Sequence, residues 1–391
     1  MLQYILWLTL IKGIGPVTVK RLLGHFSDPR EVYDAGYEDL LKVKGIGHFA
    51  ATSLATARSL QEAESILERC HKSNIKILTC QEPDYPQLLN HIPHAPALMY
   101  YRGLAPRGGG VALVGSRKCS AYGKEVVCEA ADYLARRNVP VLSGLAAGID
   151  GYAHTACLKA GGYTIAFLGG GIDTFYPSEH RELQDNIAAA GTLLSLFPPG
   201  TPAHPSRFPR RNYFMAAWAE TVLVVEAGRK SGALLTADYA MQLGKRVMSV
   251  PGSIYSSQSA GTNALLNRRA EVYDHPEQLT GNNAGPAGIK KAGFSAVNRG
   301  DKAQNLPHQL AKAPPAKAPG HRKPGIPAEA KRELSSIEKE ILKVLQDSAM
   351  NMDRLAHHFK ADRSSFFEAL TMLELDGLLE RQPGGIISLL K

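Results

Sequence analysis

Cysteine is scarce in this chain of 391 residues: Cys70, Cys80, Cys119, Cys128 and Cys157 form no C-x-x-C pair and show no metal-type spacing to histidine. An odd, scattered set excludes a disulfide scaffold, gives no metal site and fits a reducing cytoplasm. Long apolar runs are also missing. None reaches the ~18 residues of a membrane span, so no membrane partner is expected. Residues 2–11 are apolar, but no basic segment precedes them and no small-residue cleavage site follows, so they read as a first helix and not a leader. No G-x-x-x-x-G-K-[ST] occurs, which disfavours ATP hydrolysis on a P-loop. No G-x-G-x-x-G follows the first strand of the central region, and Ser143-Gly144 stands where a ribose-binding carboxylate is expected, which disfavours NAD. No cofactor is expected.

What is present is 44% hydrophobic, enough for at least one large core and for several domains at this length. The net charge of +9 hints at nucleic acid, but it is unevenly placed: residues 281–332 carry ten basic and two acidic residues. Rich in Gly, Pro and Ala, the 281–333 stretch buries too little surface to offset chain entropy and reads as a flexible basic linker. It serves as a solubilising tether or as a loose electrostatic contact with nucleic acid. Three folded units are expected: 1–82, all-helical; 83–280, a sheet domain; and 334–391.

In the first unit, Lys12-Gly13-Ile14-Gly15 recurs as Lys44-Gly45-Ile46-Gly47 between apolar helical stretches. Gly-x-Gly permits a tight turn that brings free N–H groups to the start of the next helix, where they favour phosphate. This resembles the helix-hairpin-helix motif (a SAM-like arrangement), which grips DNA backbones. The plainer reading is two tight helix–helix turns, and the near-neutral charge of 1–82 favours it.

The central unit alternates strands (111–114, 139–143, 164–168, 192–196, 221–226, 246–250) with helices (122–137, 149–159, 179–190, 233–243). That pattern predicts a Rossmann-like, doubly wound parallel sheet whose ligands bind beyond the C-terminal strand ends. Those ends carry small or basic residues. Gly115-Ser116-Arg117 follows the first strand, Gly144 the second, and Lys230-Ser231-Gly232 opens a helix with Ser231 as N-cap. Between the fourth and fifth strands lies the densest basic cluster, with Phe208, Arg210, Arg211, Asn212 and Tyr213. The expected phosphate-binding set is Gly115, Ser116, Arg117, Gly144, Arg210, Arg211, Asn212, Lys230, Ser231 and Gly232. Convergence of Arg117, Arg211 and Lys230 on one rim suits a polyanion longer than one phosphate. Tyr213 and Phe208 interleave with the cations as candidate base-stacking residues, core packing being the plainer role for Phe208. No catalytic residue is assigned. Asp150 and His154 share a helical face, as a general base or a helix-internal hydrogen bond. Asp173 and Glu226 stand near strand ends, to bind ribose or cap a helix.

The ordered set Val111-Ala-Leu-Val-Gly-Ser-Arg117, Ser143-Gly-Leu-Ala-Ala-Gly-Ile-Asp150, Phe167-Leu-Gly-Gly-Gly-Ile-Asp173 with Tyr176-Pro177, Phe208-Pro-Arg-Arg-Asn212, Lys230-Ser-Gly232 and Val250-Pro-Gly252 resembles the DNA processing protein A family (DprA, also called Smf). The resemblance implies a Rossmann-like domain that binds single-stranded DNA, dimerises and helps load the RecA recombinase during natural transformation. Family phosphate contacts map onto Ser116, Arg117, Arg211, Asn212, Lys230 and Ser231, and dimer contacts onto the helix holding Ala264, Leu265 and Leu266. The chain departs from the family pattern at Ala147 and Tyr213, where arginine is usual.

Residues 334–391 show three apolar-periodic stretches (337–345, 352–359, 364–373) and then a hairpin, resembling the winged helix that some DprA proteins carry. Residues 364–375 hold Glu368 and Glu374 and no Lys or Arg, which favours protein contact over DNA reading. Two rivals stand beside a DNA binder. One is a nucleotide-processing enzyme of the lysine-decarboxylase-like (phosphoribohydrolase) fold, whose P-G-G-x-G-T-x-x-E signature is missing here. The other is a structural adaptor whose glycines are only turns.

Overall fold

A computed structural model describes residues 1–89, 91–92, 94–280, 334–346 and 348–359, then 366, 369–370, 372–373, 378–382 and 386–389. The basic stretch 281–333 lies outside the described residues, as does most of the acidic stretch 364–375, including Glu368 and Glu374.

The chain begins with six helices: α1 (Leu2–Leu10), α2 (Pro16–His25), α3 (Pro29–Asp34), α4 (Tyr37–Leu41), α5 (His48–Thr56) and α6 (Gln61–Lys72). The repeated motif makes two hairpins, α1–α2 and α4–α5. Their turns use Gly13 and Gly45 at φ of +78° and +83°, a region that strains any residue with a Cβ. Each turn is closed by the other hairpin. The Phe49 ring on α5 lies against Gly13 and the Arg21 guanidinium on α2 against Gly45, so tightly that a Cβ at either glycine would collide. Leu6, Leu22, Leu40 and Leu54 fill the core between the hairpins, fully buried.

The expectation of helix alone through residue 82 is corrected by β1 (Lys76–Thr79), which pairs antiparallel with β2 (Leu98–Gly103). Both join the central sheet, with β3 (Val111–Val114), β4 (Val141–Ser143), β5 (Thr164–Leu168), β6 (Thr192–Ser195), β7 (Thr221–Val224), β8 (Arg246–Ser249) and β9 (Glu271–Val272). Strand order is β1-β2-β6-β5-β4-β3-β7-β8-β9. The run from β6 to β9 is parallel, as expected, but β2 meets β6 antiparallel, so the sheet is mixed at that edge. The inner strands are buried at every position, the mark of a sheet covered on both faces. Covering helices are α7 (Ala121–Arg136), α8 (Ile149–Lys159), α9 (Arg181–Ala190), α10 (Phe208–Trp218), α11 (Gly232–Gln242) and α12 (Ala260–Leu266). From β3 the chain winds outward through β4, β5 and β6, then returns to lay β7 on the other flank of β3. That reversal opens a crevice at the C-terminal ends of β3 and β7.

At the C-terminus, α13 (Ser336–Leu345) starts with a capping box, Ser335 and Glu338 each satisfying the other's backbone N–H. With α14 (Met352–His358) and the antiparallel strands β10 (Met350–Asn351), β11 (Leu379–Gln382) and β12 (Ile386–Leu389) it forms the winged-helix pattern. All five cysteines are free thiols, and among the described residues no helix is long and apolar enough to cross a membrane.

Candidate nucleic-acid interface

The crevice between β3 and β7 holds a cavity of about 490 Å³. Three loops and one helix build it, each for a local reason. The β3 strand ends at Gly115, and the turn that follows is pinned by Ser116. Its Oγ donates to Oε1 of Gln258 (3.0 Å) and accepts from the Lys118 N–H (3.1 Å), leaving Arg117 exposed at the rim. The turn then enters α7 through Ser120, whose N–H and hydroxyl both donate to the buried Glu226 carboxylate (2.8 and 2.5 Å). After β7, Ser231 caps α11 by accepting from the Ala233 N–H, as the sequence suggests. No acidic residue sits in the first turn of α11, so its positive end and the exposed Lys230 both face the cavity.

Helix α10 supplies the floor. Arg211 is only 5% exposed, and its Nη1 donates to the Phe167 carbonyl (2.8 Å). Gly144 packs directly against the guanidinium, and a Cβ there would overlap it. The chain approaches Arg211 at this glycine, and Gly144 does not itself line the cavity. Burial holds Arg211 below its ordinary range, at about 10, with nearby Asp150 pulling the other way. Asp150 is itself buried and pushed upward by burial, against the opposing pull of Arg211 and of N–H groups donated by Ala146 and Gly144. The Arg211 Nε has no hydrogen-bond partner.

Of the sequence-derived set, Gly115, Ser116, Arg117, Arg211, Asn212, Lys230, Ser231 and Gly232 line this one cavity, and so does Phe208. The Phe208 ring lies 5.8 Å from the Arg117 guanidinium and 5.5 Å from that of Arg211, and pairs with Tyr176 at 5.5 Å. Four expectations are corrected, the first being Gly144, which packs on Arg211 outside the cavity. Arg210 leaves α10 on a different side, lining a small recess with His94 and Tyr213 and facing the Phe197 ring at 6.0 Å. Positions 208, 211, 212 and 215 line the crevice at helical spacing, and position 210 falls off that face. Tyr213 is 7% exposed and packs edge-on against Tyr239 (5.3 Å), so it offers no face to a base. Leu265 is 1% exposed, locked into the core as the inward position of α12. Ala264 is exposed and Leu266 half-buried.

Glu226, Asp173 and His154, left open by the sequence, are committed elsewhere, while Asp150 lines the crevice. Glu226 holds Ser120, and Asp173 accepts from the Gly200 N–H (2.7 Å). His154 pairs with the Thr164 hydroxyl (2.7 Å), not with Asp150, and burial lowers its pKa to about 3. Sequence reasoning missed Gln258, which ties the β3 turn from a loop with no motif, and gave Tyr176 no role. It also gave no hint that Asp150 is the charge partner behind Arg211.

A cation-lined crevice at the switch point of a Rossmann-like sheet, in a chain that also carries tandem helix-hairpin-helix turns and a winged helix, defines a multidomain protein whose central site suits an anion. The profile described as "DNA recombination-mediator protein A" matches residues 76–283, flanked by matches to a SAM-like helix-hairpin-helix tandem over 7–66 and a DprA winged helix domain over 326–385. The chain belongs to this DprA/Smf family. It is 33% identical over 380 residues to Protein Smf of Synechocystis, covering 96% of this chain and 95% of that one. It is 40% identical over 190 residues to DNA processing protein DprA of Streptococcus pneumoniae, covering 48% and 67%. The crystal structure of DprA from S. pneumoniae superposes with a TM-score of 0.62 at 29% identity, covering 72% of this chain and 98% of that one.

Proposed function

We propose that this chain is a recombination mediator that holds single-stranded DNA by its phosphates in the β3–β7 crevice. In this reading it acts as a homodimer in the cytoplasm, protects incoming strands and delivers them to the RecA recombinase during natural transformation. It works by binding, without a chemical step. One observation carries the reading: Arg117, Arg211 and Lys230, from three separate segments, line a single cavity beside the positive end of α11. Charge at phosphate positions without a base-edge reader gives affinity with little sequence preference.

The test is titration of labelled oligonucleotides of unrelated sequence with wild type and Arg117→Ala. Losing one charge-assisted phosphate contact lowers affinity about tenfold, alike on every sequence. It also flattens the salt dependence by about 0.7 on a log–log plot. Identical curves for the two proteins overturn the site. Turnover of nucleoside monophosphates would instead revive the phosphoribohydrolase reading.

A further inference from the structure

The loop between β8 and α12 is fastened at its base. Gly252 and Asn263 exchange two hydrogen bonds (3.1 and 2.9 Å), and the Gln258 carbonyl accepts from the Ala227 N–H (2.8 Å). The Gln258 side chain grips both Ser116 and the Lys118 carbonyl. Turn bonds from Ser256 to Ser253 and from Ser259 to Ser256 fix the interior. On this anchored loop Ile254 and Tyr255 stand 82% and 93% exposed, the highest values among the described large hydrophobic side chains. Neither contributes to the core, so the exposed pair is unexplained by folding and marks a contact surface.

Its neighbourhood identifies the partner. Tyr255 is three residues from Gln258, a cavity-lining residue, and so within about 11 Å of chain reach. Gly228, at the start of the turn leading to Lys230, lies against the Ser257 carbonyl on the other side. The Ser257–Gln258 limb of the loop therefore lies between the Arg117–Lys118 turn and the turn that begins at Gly228, and residues 251–263 contain no acid. Cations flanking an exposed aromatic ring suit a strand whose phosphates are held at the rim and whose bases need a flat partner. A protein partner is a poorer fit, because two side chains cover far less than the roughly 1,200 Å² of a stable interface.

We propose that Tyr255, with Ile254 beside it, is a base-stacking finger for the single strand held in the crevice, an inference that rests on the phosphate-binding reading above. The chain has two tryptophans, Trp7 and Trp218, both buried. Tyr255→Trp therefore adds an exposed emitter at the tip. Oligo(dT) titration quenches that emission along the binding curve. Tyr255→Ala weakens binding by roughly 5- to 100-fold, and Tyr255→Phe restores it. Unmoved emission and unchanged affinity in Tyr255→Ala, with Arg117→Ala still weakened, overturn the finger and leave the crevice standing. No binding by wild type overturns both. A dimer lost in sedimentation of Tyr255→Ala, at unchanged oligonucleotide affinity, overturns the finger and gives the tip to a second copy.

Discussion

The hairpin turns at Gly13 and Gly45 and the crevice turns at Ser116 and Ser231 share one device: small residues at a sharp bend that leads into a helix. They differ in what surrounds them. In the hairpins, Phe49 and Arg21 close each other's turns, α2 opens on Pro16, which has no N–H, and residues 1–82 carry ten basic and nine acidic side chains. In the crevice the helix end, an exposed Lys230, an exposed Arg117 and a buried Arg211 meet around open space. Turn chemistry is therefore common to both regions, and convergence of charge on a cavity is particular to one. The expected effects of substitution divide along the same line.

Arg211→Met has the largest effect. It removes the floor of the crevice, leaves the Phe167 carbonyl without its donor and takes away a cation that opposes the desolvation of Asp150, lowering stability at neutral pH by roughly 1–3 kcal/mol. The pH dependence has a fixed sign. Burial already raises the folded-state pKa of Asp150 above its ordinary 3.8, and loss of Arg211 removes a group that opposes the rise. A raised folded-state pKa favours the fold when the carboxyl is protonated, so the deficit of the variant shrinks as pH falls from neutrality toward that ordinary value. Thermal melts of both proteins across that range check this. A deficit that stays constant with pH would dissociate Asp150 from Arg211.

How much of this contrast was legible in the sequence follows from the kind of signal involved. Short continuous apolar runs mark the inner strands to within a residue or two, because strands buried on both faces are apolar throughout. The edge strands β1, β2 and β9 escaped: β1 continues a helical unit, and β9 is two residues long. In the crevice, Ser116, Arg117, Lys230 and Ser231 were readable because each follows a strand end, where the topology fixes position. Arg210 and Arg211 were not separable by sequence, since their roles depend on the rotation of α10. Tyr213 looked like a stacking residue for the same reason, and its burial against Tyr239 is a tertiary fact. Gln258 acts across 142 residues of chain to reach Ser116, a separation that no local pattern encodes.

An aspartate placed at equivalent helix starts sharpens the comparison. Aspartate is a good N-cap, so Ser231→Asp keeps α11 capped and leaves the melting temperature nearly unchanged. It also sets a negative charge at the mouth of the crevice, and oligonucleotide affinity falls about tenfold or more. Gly47→Asp makes the same change at the N-cap of α5, where the space around Gly47 is open. There stability rises by a few tenths of a kcal/mol, about 0.3, and affinity holds. Equal losses of affinity in the two variants would make the hairpins a DNA contact after all.

The smallest effect belongs to Arg210→Ala. By charge alone it matches its neighbour Arg211, and a purely electrostatic account of the basic cluster would weaken binding with either. The geometry separates them, since Arg210 faces Phe197 and the recess around His94, away from the crevice. Only its long-range field reaches the strand, and at physiological salt that field is screened over about 8 Å. Affinity should therefore change by less than about twofold, and the salt dependence should keep its wild-type slope, where Arg117→Ala loses about 0.7. A slope reduced as much as in Arg117→Ala would mean that the strand wraps past the crevice onto the far side of α10, and the division drawn between the two faces of that helix would fail.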